Sequence, residues 1–203
     1  MVARFCLAGL ALAVSVQGSS AAAVQVRPYP SKLVLEDFFR GPLRAEGVFF
    51  NTRDGSRRGI EVAMRGRWDG RTLTLREDFV YSDGERDRKT WRFTKTGDGV
   101  YVGTREDVIG TADVRQDGDA VKLSYTARVR TAAGSSYDIR FADLLRKTGP
   151  RAVINTADLS WLFFPVGKVE LRIRRARREL RERLRPRHAG RGRDPPHRYA
   201  VTW

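Results

Sequence analysis

From Leu43 onward, apolar and polar residues alternate with a period of two. Ile60, Val62 and Met64 fall on one side of a strand, and Leu73, Leu75, Phe79 and Tyr81 on one side of the next. Val121, Leu123, Tyr125, Ala127 and Val129 alternate with Lys122, Ser124, Thr126, Arg128 and Arg130. Tyr137, Ile139 and Phe141 repeat the theme, as do Val169, Leu171 and Ile173. Such alternation marks strands with one buried face. It is broken at TRDGS, WDG, SDGE, TGDG, QDGD, TAAGS and KTGP, corners where Asp-Gly recurs and supplies the positive φ of tight hairpins. Short links imply antiparallel neighbours, and no helical stretch is long enough for a βαβ unit. The pattern predicts an all-β protein, an up-and-down antiparallel barrel of about eight to ten strands, which closes to remove exposed edges. An open sandwich is the alternative.

The flanks read differently. In LVLEDFFRGP a short helix or turn is expected to lay Leu35, Phe38 and Phe39 on the body. Arg4 followed by the apolar run Phe5–Val16 and by Ala21-Ala22-Ala23 reads as an export signal over residues 1–23, too short to span a bilayer comfortably. An uncleaved anchor is the alternative. Residues 24–32 read as an extended linker, 33–174 as the barrel domain, and 175–203 as an Arg-rich tail, disordered or partly helical.

Charge and chemistry narrow the function classes. From Arg172 onward there are twelve arginines against three acids, a net of +9 out of the chain's +15. Any anionic partner therefore belongs to the tail, as a solvated appendage or as a contact for anionic membrane or lipopolysaccharide head groups. Nucleic acid is disfavoured, since an exported chain seldom meets it and no aromatic platform accompanies the arginines. The one cysteine, Cys6, lies in the signal, and both histidines, His188 and His197, lie in the tail. The body thus has no imidazole base, no thiol and no His/Cys metal ligand. No cofactor motif is present.

The stretch REDFVYSDGERDRKTW, Arg76 to Trp91, concentrates the remaining chemistry. A three-residue loop at Ser82-Asp83-Gly84 pairs Glu77 with Lys89, Asp78 with Arg88, Phe79 with Asp87 and Leu75 with Trp91. Asp78 and Arg88 then form an outward ion pair worth roughly 0.2–1 kcal/mol. Glu77 and Lys89 share the inward face, where pairing is close to obligatory. They are read either as a structural pair or as a polar anchor for a ligand. With Phe79, Trp91, Tyr125 and Asp143 they make the candidate ligand-binding set. A general acid–base role for Glu77 needs a raised pKa, which Lys89 opposes. Trp68 and Trp91 read as core or barrel-closing aromatics. WLFFPVG, Trp161–Gly167, reads as a flap over one end of the barrel, or as an exposed lip.

LEDFFRGPLRAEGVF, GRWDGRTLTLREDFVYSDGE with its following RKTW, and VGKVELRIR resemble a bacterial family of exported, uncharacterised proteins with a lipocalin-like (calycin-type) barrel, many of them lipoproteins. The resemblance covers about Leu33 to Arg174. It implies that barrel fold and an envelope location, and it brings no activity and no catalytic residue. The chain departs from the family pattern in lacking a lipobox around Cys6 and in carrying the Arg-rich tail. The expectation is a non-catalytic binder of a lipidic or other apolar small molecule. A structural or interaction protein with a filled core, and an enzyme using carboxylate, Lys or Tyr chemistry, are the alternatives.

Overall fold

In the computed structural model, which describes residues 31–130 and 135–176, the alternation resolves into ten antiparallel strands and one turn of helix. These are α1 (Leu35–Phe38), β1 (Gly41–Asn51), β2 (Arg57–Trp68), β3 (Thr72–Tyr81), β4 (Arg86–Gly97), β5 (Val100–Thr104), β6 (Ala112–Asp117), β7 (Ala120–Arg130), β8 (Ser136–Gly149), β9 (Ala152–Trp161) and β10 (Phe164–Arg175). Each strand pairs with its sequence neighbours and β10 closes on β1, so the sheet is the expected up-and-down barrel and not a sandwich. The stretch read as an export signal, most of that read as a linker and the Arg-rich stretch beyond residue 176 lie outside the described residues.

The period-two faces point where the pattern puts them. Ile60, Val62, Met64, Leu73, Leu75, Val121, Leu123, Tyr125, Ala127, Ile139 and Ile173 are buried inside the barrel. Toward one end the faces open: Val129 and Tyr137 are exposed although they continue the inward series.

The other end is stoppered by the chain that precedes β1. Leu33, Leu35, Phe38 and Phe39 join the barrel core, and Phe38 packs edge-on against Phe39. Glu36 anchors the stopper despite being buried. Its carboxylate accepts a hydrogen bond from the Tyr101 hydroxyl and another from Lys95 Nζ at 2.8 Å. Burial pushes Glu36 up, but these partners outweigh it and hold the carboxyl below its usual value. The chain leaves α1 so close to β2 that a Cβ on Gly66 would lie 1.8 Å from the Phe39 carbonyl oxygen, so only glycine fits there.

One stretch of wall is unlike the rest. β5 and β6 are much shorter than β4 and β7, so toward the open end those longer strands lack a neighbour on one side. The loop 105–111 fills the gap. The Thr90 N–H donates to the Glu106 carboxylate at 3.0 Å, Arg128 N–H to the Asp107 carbonyl at 2.8 Å, and Ile109 N–H to the Thr126 carbonyl at 2.8 Å. The loop begins with a turn, closed by the Val108 N–H donating to the Arg105 carbonyl at 3.1 Å, and it carries Arg105 and Asp107 to the cavity wall while Glu106 is exposed.

Candidate functional site

The site is built on the β3–β4 hairpin, whose register matches the sequence reading at every pair. Glu77 stands opposite Lys89, Asp78 opposite Arg88, Phe79 opposite Asp87 and Leu75 opposite Trp91. Gly84 takes φ +86°, and the Tyr81 N–H donates to the Glu85 carbonyl at 2.9 Å, closing the three-residue loop. The outward charges are surface chemistry. Asp78 accepts from Arg88 at 2.6 Å and also from Arg76, while Asp83 and Glu85 both hold Arg58, whose guanidinium lies 3.8 Å from the Tyr81 ring centroid.

The inward side faces a cavity of about 800 Å³ that runs from the α1 stopper to the open end. All six sequence candidates, Glu77, Phe79, Lys89, Trp91, Tyr125 and Asp143, line it. Trp91 stacks on Phe93 at 4.9 Å and meets Tyr125 edge-on at 5.0 Å; Tyr125 in turn stacks on Phe141 at 4.9 Å. The wall is therefore a continuous aromatic surface. Trp68 packs against the core, as read from its place before the Asp-Gly corner.

The expected Glu77–Lys89 ion pair does not form. Lys89 Nζ instead binds Asp87 and Asp107, each at 2.8 Å. Burial alone would lower the Lys89 pKa, yet Asp107 and Asp87 outweigh it and hold the ammonium above its ordinary value. Asp107 is shared with Arg105, whose Nε lies 2.6 Å away, and burial of Asp107 is likewise outweighed by its two cations. The Arg105 guanidinium is packed inside the barrel, 4.5 Å from the Trp91 ring centroid and 5.3 Å from that of Tyr125. The pairing differs from expectation because a loop remote in sequence inserts a better partner for Lys89 than the residue across the strand.

Glu77 is left with neither a hydrogen bond nor an ion pair among the described residues. Burial raises its pKa to about 7. Arg105 and Lys89 pull it back, and Asp143 and Asp107 push it further up. Asp143 accepts from the Asn155 amide at 2.7 Å, but its other oxygen, Oδ2, is buried without a donor, as is Asn155 Oδ1. Burial lifts Asp143 to about 6, against the opposing pull of Asn155, Arg105 and Tyr125. Burial also pushes the Tyr125 hydroxyl well above its ordinary value.

Sequence reasoning missed Arg105, Asp107 and Asn155. Arg105 and Asp107 sit in a turn after β5, where strand alternation no longer says which way a side chain points, so no local pattern marks them. Nothing local marks Asn155, whose inward position depends on the β8–β9 register. The reading of WLFFPVG as a flap is also corrected. Leu162, Phe163 and Phe164 stand out from the β9–β10 turn beside the cavity mouth, with Phe163 94% exposed. A turn with Leu162 at φ +55° aims these side chains away from the barrel, so the segment is a lip.

A family model described as "Protein of unknown function (DUF3833)" matches residues 13–175. No curated protein matches the chain. Among solved structures, the S-type phycobiliprotein lyase CPES from Guillardia theta superposes with a TM-score of 0.53 at 9% identity, over 71% of this chain and 94% of that one. A redesigned β-barrel, mFAP1, bound to DFHBI, gives a TM-score of 0.37 at 13% identity, over 69% and 97% of the two chains. At such identities the first likeness is one of fold.

Proposed function

For a chain that belongs to the DUF3833 family of proteins of unknown function, we propose a binding role: an exported barrel of the bacterial envelope that holds a small apolar or lipidic molecule and does no chemistry on it. The observation that carries this reading is the cavity of about 800 Å³, with an aromatic wall, a stoppered floor and an open mouth. Its size falls within the usual range for small-molecule sites, roughly 300–1,000 Å³, and a few polar groups among apolar walls are what such sites use to orient a ligand. The lip suits loading from a membrane surface. Leu162, Phe163 and Phe164 project beside the mouth, and Arg53, Arg86 and Arg130 on the cavity rim make no ion pair among the described residues. Any contribution of the Arg-rich tail to anionic lipid or lipopolysaccharide adds to this.

The test is titration with a neutral apolar fluorophore such as phenylnaphthylamine. Saturable uptake is expected, and it should be lost in Ala157→Trp, which fills the lumen from the buried β9 wall. Absence of uptake by the folded protein, or uptake indifferent to Ala157→Trp, would overturn the reading. For the lip, Phe163→Ser should weaken sedimentation with anionic vesicles and leave fluorophore uptake intact.

One observation favours a second reading, an enzyme with Glu77 as general acid–base: its carboxyl lies near neutrality, where proton transfer in both directions is easiest. Asp143, lifted to about 6, could serve as a second proton carrier, but this reading rests on titration alone while binding rests on the cavity itself, which ranks it behind binding. Recovery of chemically altered ligand from the wild-type barrel, and unaltered ligand from Glu77→Gln, would reverse the order.

A further inference from the structure

The polar end of the cavity is unbalanced in two ways, and both point to the same ligand chemistry. Glu77 and Asp143, 7% and 8% exposed, lie on β3 and β8. These strands stand on opposite sides of the ring of ten, so the two carboxyls project toward one another across the lumen. Their cationic neighbours are already engaged, Arg105 by Asp107 and Lys89 by Asp87 and Asp107. Four carboxylates thus surround two cations. The hydrogen bonding is lopsided in the same direction: the buried atoms without a partner are acceptors, Asp143 Oδ2 and Asn155 Oδ1, and the Glu77 carboxylate beside them accepts no hydrogen bond from the described residues. What the site lacks is positive charge and hydrogen-bond donors.

We propose that the cavity takes an amphipathic organic cation, with a primary ammonium held between Glu77, Asp143 and Asn155 and an apolar body lying along Phe79, Trp91 and Phe141. This rests on the binding role proposed above and gives its ligand a class. An ammonium carries three donors and no acceptor, matching the three acceptors. An anionic head group placed at this cluster would add to its negative charge and would have to displace Asp107 from Arg105; the unpaired Arg53, Arg86 and Arg130 are at the rim and not among the groups that act on Glu77 or Asp143. The aromatic wall favours cations as well, and Arg105 shows as much by packing against Trp91 and Tyr125. A bare metal ion fits poorly, because among the described residues no three His, Cys, Asp or Glu side chains converge.

The site's acid–base behaviour follows. Glu77, faced by Arg105, Lys89, Asp143 and Asp107, and Asp143, faced by Asn155, Arg105 and Tyr125, both retain protons that ordinary carboxyls release. The ammonium takes the place of those protons, so its binding tightens as pH rises through the two carboxyl pKa values, about 6 and about 7.

The experiment is displacement of phenylnaphthylamine from the full chain by dodecylamine, dodecanol and laurate, each below its micellar concentration. At about pH 8 dodecylamine should compete about tenfold or more better than dodecanol, the equivalent of one pKa unit of differential interaction. That advantage should shrink at about pH 5. Glu77→Gln and Asp143→Asn should each erase most of it while still binding the fluorophore. Laurate or dodecanol competing as well as the amine overturns the cation proposal and leaves the cavity-binding role standing. Failure of the fluorophore itself to bind takes down both.

Discussion

Replacing Glu77 by glutamine tests the electrostatics of the cavity without reference to any ligand. A carboxyl raised from 4.5 to about 7 keeps its proton in the folded barrel over a range in which the unfolded chain has released it. The folded-state value lies above the unfolded one, so the stabilisation is fully present below about pH 4.5. It fades as pH rises and is gone above about pH 7. At 1.36 kcal/mol per pKa unit, the swing amounts to about 3 kcal/mol. Glutamine has the same shape and does not titrate. The stability difference between Glu77→Gln and wild type, measured by urea unfolding, should therefore move by about 3 kcal/mol in favour of the variant between about pH 4 and pH 8. Taking a difference between two pH values cancels whatever the amide costs in packing. Asp143 titrates in both proteins and largely cancels too, but it contributes to the Glu77 shift, so the swing should be smaller in an Asp143→Asn background. Parallel stability curves for variant and wild type would show that Glu77 is solvated through the mouth, and the reasoning would fail.

Other consequences follow from the stopper and the lip. Tyr101→Phe removes a buried hydrogen bond to the Glu36 carboxylate and should cost about 1.5–3 kcal/mol in denaturant unfolding. Gly66→Ala would place a Cβ 1.8 Å from the Phe39 carbonyl oxygen. The stopper must then lift, with a loss of at least about 3 kcal/mol, visible as a lower Tm and faster exchange of the α1 amides. Leu162→Gly relieves a left-handed backbone at an exposed turn and should raise stability by up to about 1 kcal/mol, while weakening vesicle binding. Asp78→Ala, on the solvent side of the same hairpin as Glu77, should cost under about 1 kcal/mol and show no such pH swing.

The chain's local pattern was enough to determine the barrel and the hairpin at its centre. Strand faces depend on a period of two, and a meander's neighbours depend on short links. Both are properties of adjacent residues, so the Glu77–Lys89, Asp78–Arg88 and Leu75–Trp91 pairs were legible before any tertiary contact was known. The same is true of the apolar face that α1 lays on the barrel. Partner choice inside the lumen is another matter. Standing opposite one another did not make Glu77 and Lys89 an ion pair, because β5 and β6 are too short to complete the wall and the 105–111 loop fills it with Arg105 and Asp107 facing in. Barrel closure then brings Asp143 and Asn155 from the far wall toward Glu77. Charges in a closed cavity choose partners by distance in space and by desolvation, and neither is encoded in any short window of sequence. The tertiary structure therefore decided that Glu77 is unpaired, and with it the surplus of acceptors in the cluster that Glu77 forms with Asp143 and Asn155 inside the cavity.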